Sequence, residues 1–123
     1  MIRLKHIGIY TKDVKAMMEW YCDVLKLKVI RKLDRLGKPP VYFLGNENGF
    51  YIELLPTTND RKERTLEDPG YSHIAIEVDN FTNFSLYLKT KGVIIFGERI
   101  TSAGWRIAYF KDLEGNIIEI IEK

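Results

Sequence analysis

The chain has 123 residues, of which 46% are hydrophobic and 12% aromatic, so a single packed domain is expected and disorder throughout is excluded. The 19 lysines and arginines nearly balance the 17 aspartates and glutamates, which argues against a dedicated nucleic-acid binder. The single cysteine, Cys22, cannot form an internal disulfide, and no segment is apolar for long enough to cross a bilayer. These features predict a soluble, cytoplasmic protein that binds no membrane.

The first half of the chain predicts a strand, a helix and three further strands. Hydrophobic periodicity places a strand at 2–10, a helix at 13–25, and strands at 28–36, 41–44 and 50–55. Asp13 is the expected N-cap of the helix. Gly37 and the pair Pro39-Pro40 are expected to end the third element, and the glycines and asparagines of 45–49 favour a hairpin turn. Residues 56–70 are polar and aperiodic, which predicts a linker.

The second half repeats this order of elements. We predict a strand at 71–78, a helix at 80–91 that Gly92 stops, and strands at 93–100, 107–110 and 116–121. The motif that contains His6 returns 67 positions later at His73, and the motif that contains Glu53 returns 66 positions later at Glu119. Two matches at nearly the same offset indicate an internal duplication. We therefore predict one domain, 1–123, with module 1 at 1–55, the linker at 56–70 and module 2 at 71–123.

Four polar side chains in these strands call for an explanation. His6 and His73 are the only histidines, and they occupy equivalent positions of the repeat. Glu53 and Glu119 stand in strands that are apolar on both faces, which predicts burial on both faces. A buried carboxylate must be protonated, paired or bound to metal, and no lysine or arginine matches it in both modules. Two imidazoles and two carboxylates suit a divalent transition metal. The alternative is that all four are structural residues satisfied by hydrogen bonds.

Four motifs then resemble one family. They are His-Ile-Gly-Ile at 6–9 with Lys-Asp-Val at 12–14, Trp-Tyr-Cys-Asp-Val-Leu at 20–25, Tyr-Ser-His-Ile-Ala-Ile-Glu-Val at 71–78, and Asp-Leu-Glu-Gly-Asn-Ile-Ile-Glu at 112–119. Together they resemble the vicinal oxygen chelate superfamily, also called the glyoxalase, bleomycin-resistance and dioxygenase superfamily. The resemblance implies an α+β fold with two βαβββ modules in tandem, whose curved mixed sheets form a metal cleft, and a homodimer. His6, Glu53, His73 and Glu119 match its four ligand positions.

The ligand set narrows the implied function. Extradiol dioxygenases of the family use two histidines and one glutamate, whereas two histidines with two glutamates is the glyoxalase I arrangement. This implies a metal-dependent lyase or isomerase, similar to lactoylglutathione lyase, that binds nickel, zinc, manganese, iron or cobalt. It would convert the hemithioacetal of a 2-oxoaldehyde and a thiol into a 2-hydroxyacyl thioester through a metal-bound enediolate. Glu119 is the expected catalytic base and Glu53 the second candidate. The alternatives are an epimerase similar to methylmalonyl-CoA epimerase and a non-catalytic, small-molecule-binding protein of the resistance type.

Some positions depart from the family pattern. Glutathione-dependent members commonly have arginine where this chain has Tyr10, which leaves the thiol open. Lys26 replaces a usual glycine and Leu113 a usual proline, and both changes concern turns. The charged run at 61–64 is expected to be a solvated loop rather than a grip for an anionic substrate. The substrate-binding residues, and the choice between a cleft within one chain and one shared by two, stay open.

Overall fold

The computed structural model describes residues 1–47 and 49–123, and its chain forms two compact units, Met1–Arg61 and Lys62–Lys123. The predicted hairpin turn at 45–49 includes Asn48, which lies outside the described residues. Among the helices of the described residues, none is long and apolar enough to span a membrane.

The first unit is one helix on a four-stranded mixed sheet. Its elements are β1 (His6–Thr11), α1 (Val14–Val24), β2 (Lys28–Arg35), β3 (Lys38–Gly45) and β4 (Tyr51–Pro56). The strand order is β1-β4-β3-β2, with β1 parallel to β4 and the other pairs antiparallel. The Asp13 carboxylate caps α1 by accepting a hydrogen bond from the Ala16 N–H at 3.0 Å. The apolar stripe of α1 is buried where the helix contacts β3 and β4.

The second unit repeats the same architecture. Its elements are β5 (His73–Glu77), α2 (Phe81–Thr90), β6 (Phe96–Ile100), β7 (Arg106–Lys111) and β8 (Ile117–Glu122). The strand order β5-β8-β7-β6 reproduces that of the first sheet, again with one parallel pair, β5 and β8. Asn80 caps α2 through the Asn83 N–H at 2.9 Å, and the Glu122 carboxylate accepts from the Phe81 N–H at 2.6 Å. The predicted α+β fold of two βαβββ modules is therefore confirmed.

The predicted start of the third strand was wrong. The structure places Pro39 and Pro40 inside β3, not after the end of a strand. β3 pairs with β4 only from Tyr42 onward, so before that point the strand has β2 alone as a neighbour. Proline lacks a backbone N–H and is tolerated where one side of a strand is unpaired. The break between strands is instead the turn at Gly37, whose φ is +69°.

Candidate metal centre

The first predicted pair of ligands lies on one face of the first sheet. The register sets His6 opposite Tyr51 and Gly8 opposite Glu53, so His6 and Glu53 stand on the same face of neighbouring strands. The distance between His6 Nε2 and Glu53 Oε1 is 3.5 Å. A Cβ at Gly8 would lie 3.5 Å from that oxygen and 3.3 Å from Leu55 Cδ1. The glycine therefore keeps the space beside the carboxylate open.

The second predicted pair has the same geometry in the second unit. His73 stands opposite Ile117 and Ala75 opposite Glu119, and the distance from His73 Nε2 to Glu119 Oε1 is again 3.5 Å. The Glu119 side chain is 13% exposed and the His73 side chain 31% exposed. The small residue Ala75 takes the place that Gly8 has in the first unit. The duplication thus extends to the relative placement of the ligands.

An aromatic ring positions each imidazole. The rings of Phe43 and His6 form a T-shaped pair with centroids 5.4 Å apart and planes at 87°, and the rings of Tyr109 and His73 form a similar pair at 5.6 Å and 77°. Phe43 lies opposite Glu53, and Tyr109 lies opposite Glu119. Each aromatic side chain therefore touches the histidine while flanking the glutamate. Edge-on packing of this kind restricts the rotation of the imidazole.

The expectation that the glutamate strands are buried on both faces was wrong in one respect. Ile52 and Leu54 of β4 are buried, but Glu53 and its neighbours on the other face are half-buried. β8 shows the same alternation around Glu119. In the first unit the face that carries Ile52 and Leu54 is the one that the helix covers, so the opposite face keeps its carboxylate in partial contact with solvent. Within its own unit, each carboxylate pairs with histidine rather than with lysine or arginine.

The donor set fits a divalent transition metal. Nitrogen and oxygen ligands about 2.1 Å from one ion are separated by roughly 3.0–3.4 Å at octahedral or tetrahedral angles. The observed nitrogen-to-oxygen distance of 3.5 Å in both units is close to this separation. The ring nitrogen that faces the carboxylate is Nε2 in both cases, so both ligands of a pair can reach one ion. A lysine bound to either carboxylate would have argued against a metal.

The structure brings the four predicted ligands together as two pairs, one in each unit. Among side chains of residues 1–47 and 49–123, no three from histidine, cysteine, aspartate and glutamate are grouped as a metal site. The meeting of both pairs at a single ion therefore stays a prediction. The catalytic roles expected for Glu119 and Glu53 stay predictions as well.

A tight turn sets the start of the strand that carries Glu119. Asp112 is buried, and its Oδ1 accepts hydrogen bonds from the backbone N–H groups of Glu114 and Asn116 at 2.9 and 3.0 Å. Its Oδ2 accepts from the Asn116 side-chain amide at 2.8 Å. Gly115 supplies the positive φ, +90°, that the turn needs. These contacts explain why aspartate, glycine and asparagine recur at these positions in the family motif, and why Leu113 is accepted at an exposed position.

Cationic side chains share the sheet faces that carry the ligands. In the first unit Lys28 lies opposite Gly45 and Arg31 lies opposite Phe43, which places both cations on the face of His6 and Glu53. In the second unit Lys111 and Arg99 lie on the face of His73 and Glu119. Tyr10, on the same face of β1, is 68% exposed. In the first unit Lys28 and Arg31 lie on β2, at the opposite edge of the sheet from the strand that carries Tyr10.

Sequence reasoning missed three neighbours of the histidines: Phe43, Tyr109 and Ser72. Neither Phe43 nor Tyr109 was predicted to contact a histidine. The offset of 66 positions between them is the one that relates Glu53 to Glu119, so the repeat itself contained the signal. Ser72, whose Oγ lies 2.9 Å from His73 Nδ1, was also missed. Cys22 is half-buried, and burial raises the pKa of its thiol.

Comparison with known proteins identifies the family of this chain. The model of the Glyoxalase/Bleomycin resistance protein/Dioxygenase superfamily matches residues 3–120. The chain belongs to this superfamily. It is 29% identical over 132 residues to a lactoylglutathione lyase of Neisseria meningitidis, a match that covers 99% of this chain and 91% of the relative. It is 26% identical to biphenyl-2,3-diol 1,2-dioxygenase 3 of Rhodococcus globerulus, over 96% of this chain and 62% of that protein.

Solved structures confirm the fold. A glyoxalase family protein from Enterococcus faecalis superimposes with a TM-score of 0.84 at 20% identity, covering 98% of this chain and 97% of that one. At this level of identity the likeness supports the two-sheet architecture and leaves the reaction open. The superfamily includes lyases, dioxygenases and resistance proteins, so the specific activity must be argued from the site.

Proposed function

We propose that this protein is a metal-dependent lyase of the glyoxalase I type. It would convert the hemithioacetal of a 2-oxoaldehyde and a thiol into a 2-hydroxyacyl thioester. The observation that carries the proposal is the presence, in each unit, of one imidazole and one carboxylate that face each other at the same distance. The relative named lactoylglutathione lyase supports the same activity. The relative named as a dioxygenase supports it less, because the resemblance assigns extradiol dioxygenases no ligand equivalent to Glu53.

His6, Glu53, His73 and Glu119 together would hold the ion. The two pairs come either from both units of one chain or from one unit in each chain of a homodimer. A divalent ion held there would polarise the two neighbouring oxygens of the substrate and make the hydrogen on the carbon that bears sulfur more acidic.

The carboxylates would move the proton. Glu119 takes the proton from the carbon that bears sulfur and returns it to the neighbouring carbonyl carbon, while the hydroxyl proton passes to the neighbouring oxygen. No electrons are gained or lost, so the net reaction is an isomerisation. The family resemblance favours Glu119 as the base, and its side chain is also the less exposed of the two, 13% against 19% for Glu53. Fewer water molecules then compete for the position of the migrating proton.

The positive charges on the sheet faces that carry the ligands indicate which kind of thiol would serve as co-substrate. Arg31 and Lys28 lie on the same face as His6 and Glu53, and strands about 4.8 Å apart place the Arg31 Cα roughly 10 Å from that of Glu53. An arginine side chain can cover much of that distance to a substrate carboxylate. A thiol that carries a carboxylate is therefore the preferred co-substrate, although Tyr10 replaces the arginine that glutathione-dependent members commonly have.

Metal content and turnover test the proposal together. Protein purified without chelator should contain a divalent transition metal, and it should form thioester from methylglyoxal with at least one of several thiols. Glu119→Gln should lower kcat by about 100-fold or more, which is the usual contribution of a general base. His6→Ala should abolish the stabilisation by added metal, which is about 2.7 kcal/mol at a concentration 100 times the Kd.

Each part of the proposal can fail separately. A wild-type protein whose unfolding midpoint is unchanged by nickel, zinc, manganese, iron or cobalt has no such site and is better explained as a metal-free binding protein. Bound metal without turnover on any thiol removes the lyase reaction and leaves the site. Deuterium exchange at the acidic carbon of methylmalonyl-CoA would then assign the epimerase instead.

A further inference from the structure

The two histidines differ in what holds the second ring nitrogen. Ser72 Oγ lies 2.9 Å from His73 Nδ1, while Nε2 on the other side of the ring faces Glu119 at 3.5 Å. Tyr109 packs against the same ring at 5.6 Å. The His73 imidazole is therefore in contact at both nitrogens and against a neighbouring ring.

Among the described residues, His6 has no partner that corresponds to Ser72. Within the described part of the first unit its contacts are Glu53 at Nε2 and the ring of Phe43. Lys5 precedes it, at the position that Ser72 has in the repeat, and the Lys5 ammonium lies over the Tyr51 ring at 4.9 Å. A lysine cannot accept a hydrogen bond, so it cannot replace the serine hydroxyl in this role. The modules thus share their ligands and differ in the support of one of them.

The hydrogen bond to Nδ1 affects how a histidine binds metal. A neutral imidazole binds metal through one nitrogen only when the proton is on the other. The Ser72 hydroxyl can accept a hydrogen bond from Nδ1–H, which leaves the lone pair of Nε2 directed towards Glu119. The same hydroxyl can turn and donate to Nδ1 when no ion is present. Outer partners of this kind fix the tautomer and orientation of metal-binding histidines.

We propose that Ser72 is a positioning residue for His73: it accepts the Nδ1 proton and so directs Nε2 to the ion that His73 and Glu119 bind. This inference rests on the metal site proposed above. It makes the second unit the more rigid half of that site. Removal of the hydroxyl should weaken metal binding by about tenfold, the lower end of the range for outer partners, because the hydroxyl is uncharged.

A matched pair of variants isolates the hydroxyl. Ser72→Thr and Ser72→Val have nearly the same shape and differ by one hydroxyl group, so any packing change at residue 72 affects both alike. The affinity for zinc is measured in full-length protein by competition with a chelator, and the unfolding midpoint of the metal-free protein is measured alongside. Ser72→Thr should retain wild-type affinity, and Ser72→Val and Ser72→Ala should each lose about tenfold. Lys5→Ala, the matched change in the first module, should alter the affinity by no more than about twofold, because solvent screens an exposed charge.

Nuclear magnetic resonance supplies a readout that does not depend on turnover. The chain has two histidines, so a His6→Ala sample assigns both sets of imidazole signals. In zinc-loaded wild type, the His73 Nδ1–H proton should be protected from exchange, and Ser72→Val should lose this protection while Ser72→Thr keeps it. Zinc binding by wild type with equal affinity in the Thr and Val variants refutes the role of Ser72 alone. Absence of zinc binding by wild type refutes the proposed site, and the role of Ser72 with it.

Discussion

Replacement of Asp112 by alanine should destabilise the turn that leads into β8. Its Oδ1 accepts hydrogen bonds from two backbone N–H groups and its Oδ2 from the Asn116 amide, while the side chain is almost fully buried. Hydrogen bonds to a charged group contribute about 1.5–3 kcal/mol each, and they are not additive when they share one carboxylate. Glu114 and Asn116 are half-buried, so in a variant without the carboxylate their N–H groups can bond to water, which replaces part of the lost stabilisation.

We therefore expect Asp112→Ala to lower the free energy of unfolding by about 3 kcal/mol. For a chain of this size that loss corresponds to a decrease in Tm of roughly 10 °C. Urea unfolding followed by far-ultraviolet circular dichroism measures the first quantity, and a thermal melt measures the second. β8 begins at Ile117, directly after the turn, so the same variant should also weaken the binding of added metal through displacement of Glu119.

Asp112→Asn is the control. It keeps the oxygen that accepts both backbone bonds, and the amide of Asn116 can rotate to meet the new amide, so the expected loss is about 1 kcal/mol. The first module carries Asn46 at the corresponding position of the sequence, 66 residues earlier. A loss in Asp112→Asn as large as that in Asp112→Ala would show that the negative charge, and not the backbone capping, stabilises the turn. A loss below about 1 kcal/mol in Asp112→Ala would refute the reasoning altogether.

Three further predictions concern single side chains. Lys26 has a φ of +58°, in the left-handed region. Lys26→Gly should remove about 1–2 kcal/mol of backbone strain and cost about 0.5–1 kcal/mol in chain entropy, so it should raise the free energy of unfolding measured in urea. Lys26→Ala, which keeps the Cβ, should not raise it. Arg31→Ala should raise KM by about tenfold for the hemithioacetal of a carboxylate-bearing thiol such as glutathione. It should leave KM unchanged for the hemithioacetal of an uncharged thiol. Equal effects on both substrates would show that Arg31 does not bind the substrate carboxylate. Burial raises the pKa of the Cys22 thiol, so less thiolate is present near pH 8. Alkylation by iodoacetamide should therefore be slower in the folded protein than in urea. Equal rates would contradict the burial of Cys22.

The helices could be predicted from sequence to within one residue because their ends are local. Asp13 and Asn80 accept hydrogen bonds from N–H groups three residues later, and such caps are visible in the sequence. Strand ends are not local. The first strand was expected from residue 2, but β1 begins at His6, because its partner β4 begins at Tyr51. The Tyr51 N–H donates to the Lys5 carbonyl, and in the part of the chain that the structure describes the residues before Lys5 have no partner strand.

The candidate site could be predicted in part because the repeat is visible in the sequence. The repeat relates His6 to His73 and Glu53 to Glu119, and the structure brings each histidine to the glutamate of its own unit. A repeat reveals what two modules share and hides what they do not. Lys5 takes the position of Ser72 in the first module, and a serine before a histidine has no distinctive pattern, so only the distance to Nδ1 reveals the contact.

Those differences matter for the proposed reaction because an isomerisation is not symmetric. In the proposed reaction Glu119 both takes the proton from one carbon and returns it to the next, so the two carboxylates would have different roles. Equivalent halves would suit this task poorly. The ligands have the same spacing in both units, whereas the residues around them differ: Lys5 against Ser72, Gly8 against Ala75, and Phe43 against Tyr109. The duplication thus explains the two histidine–glutamate pairs. The residues around the pairs have diverged, and the second unit has the less exposed Glu119 and a His73 that Ser72 contacts. These are the features expected of the half that would move the proton.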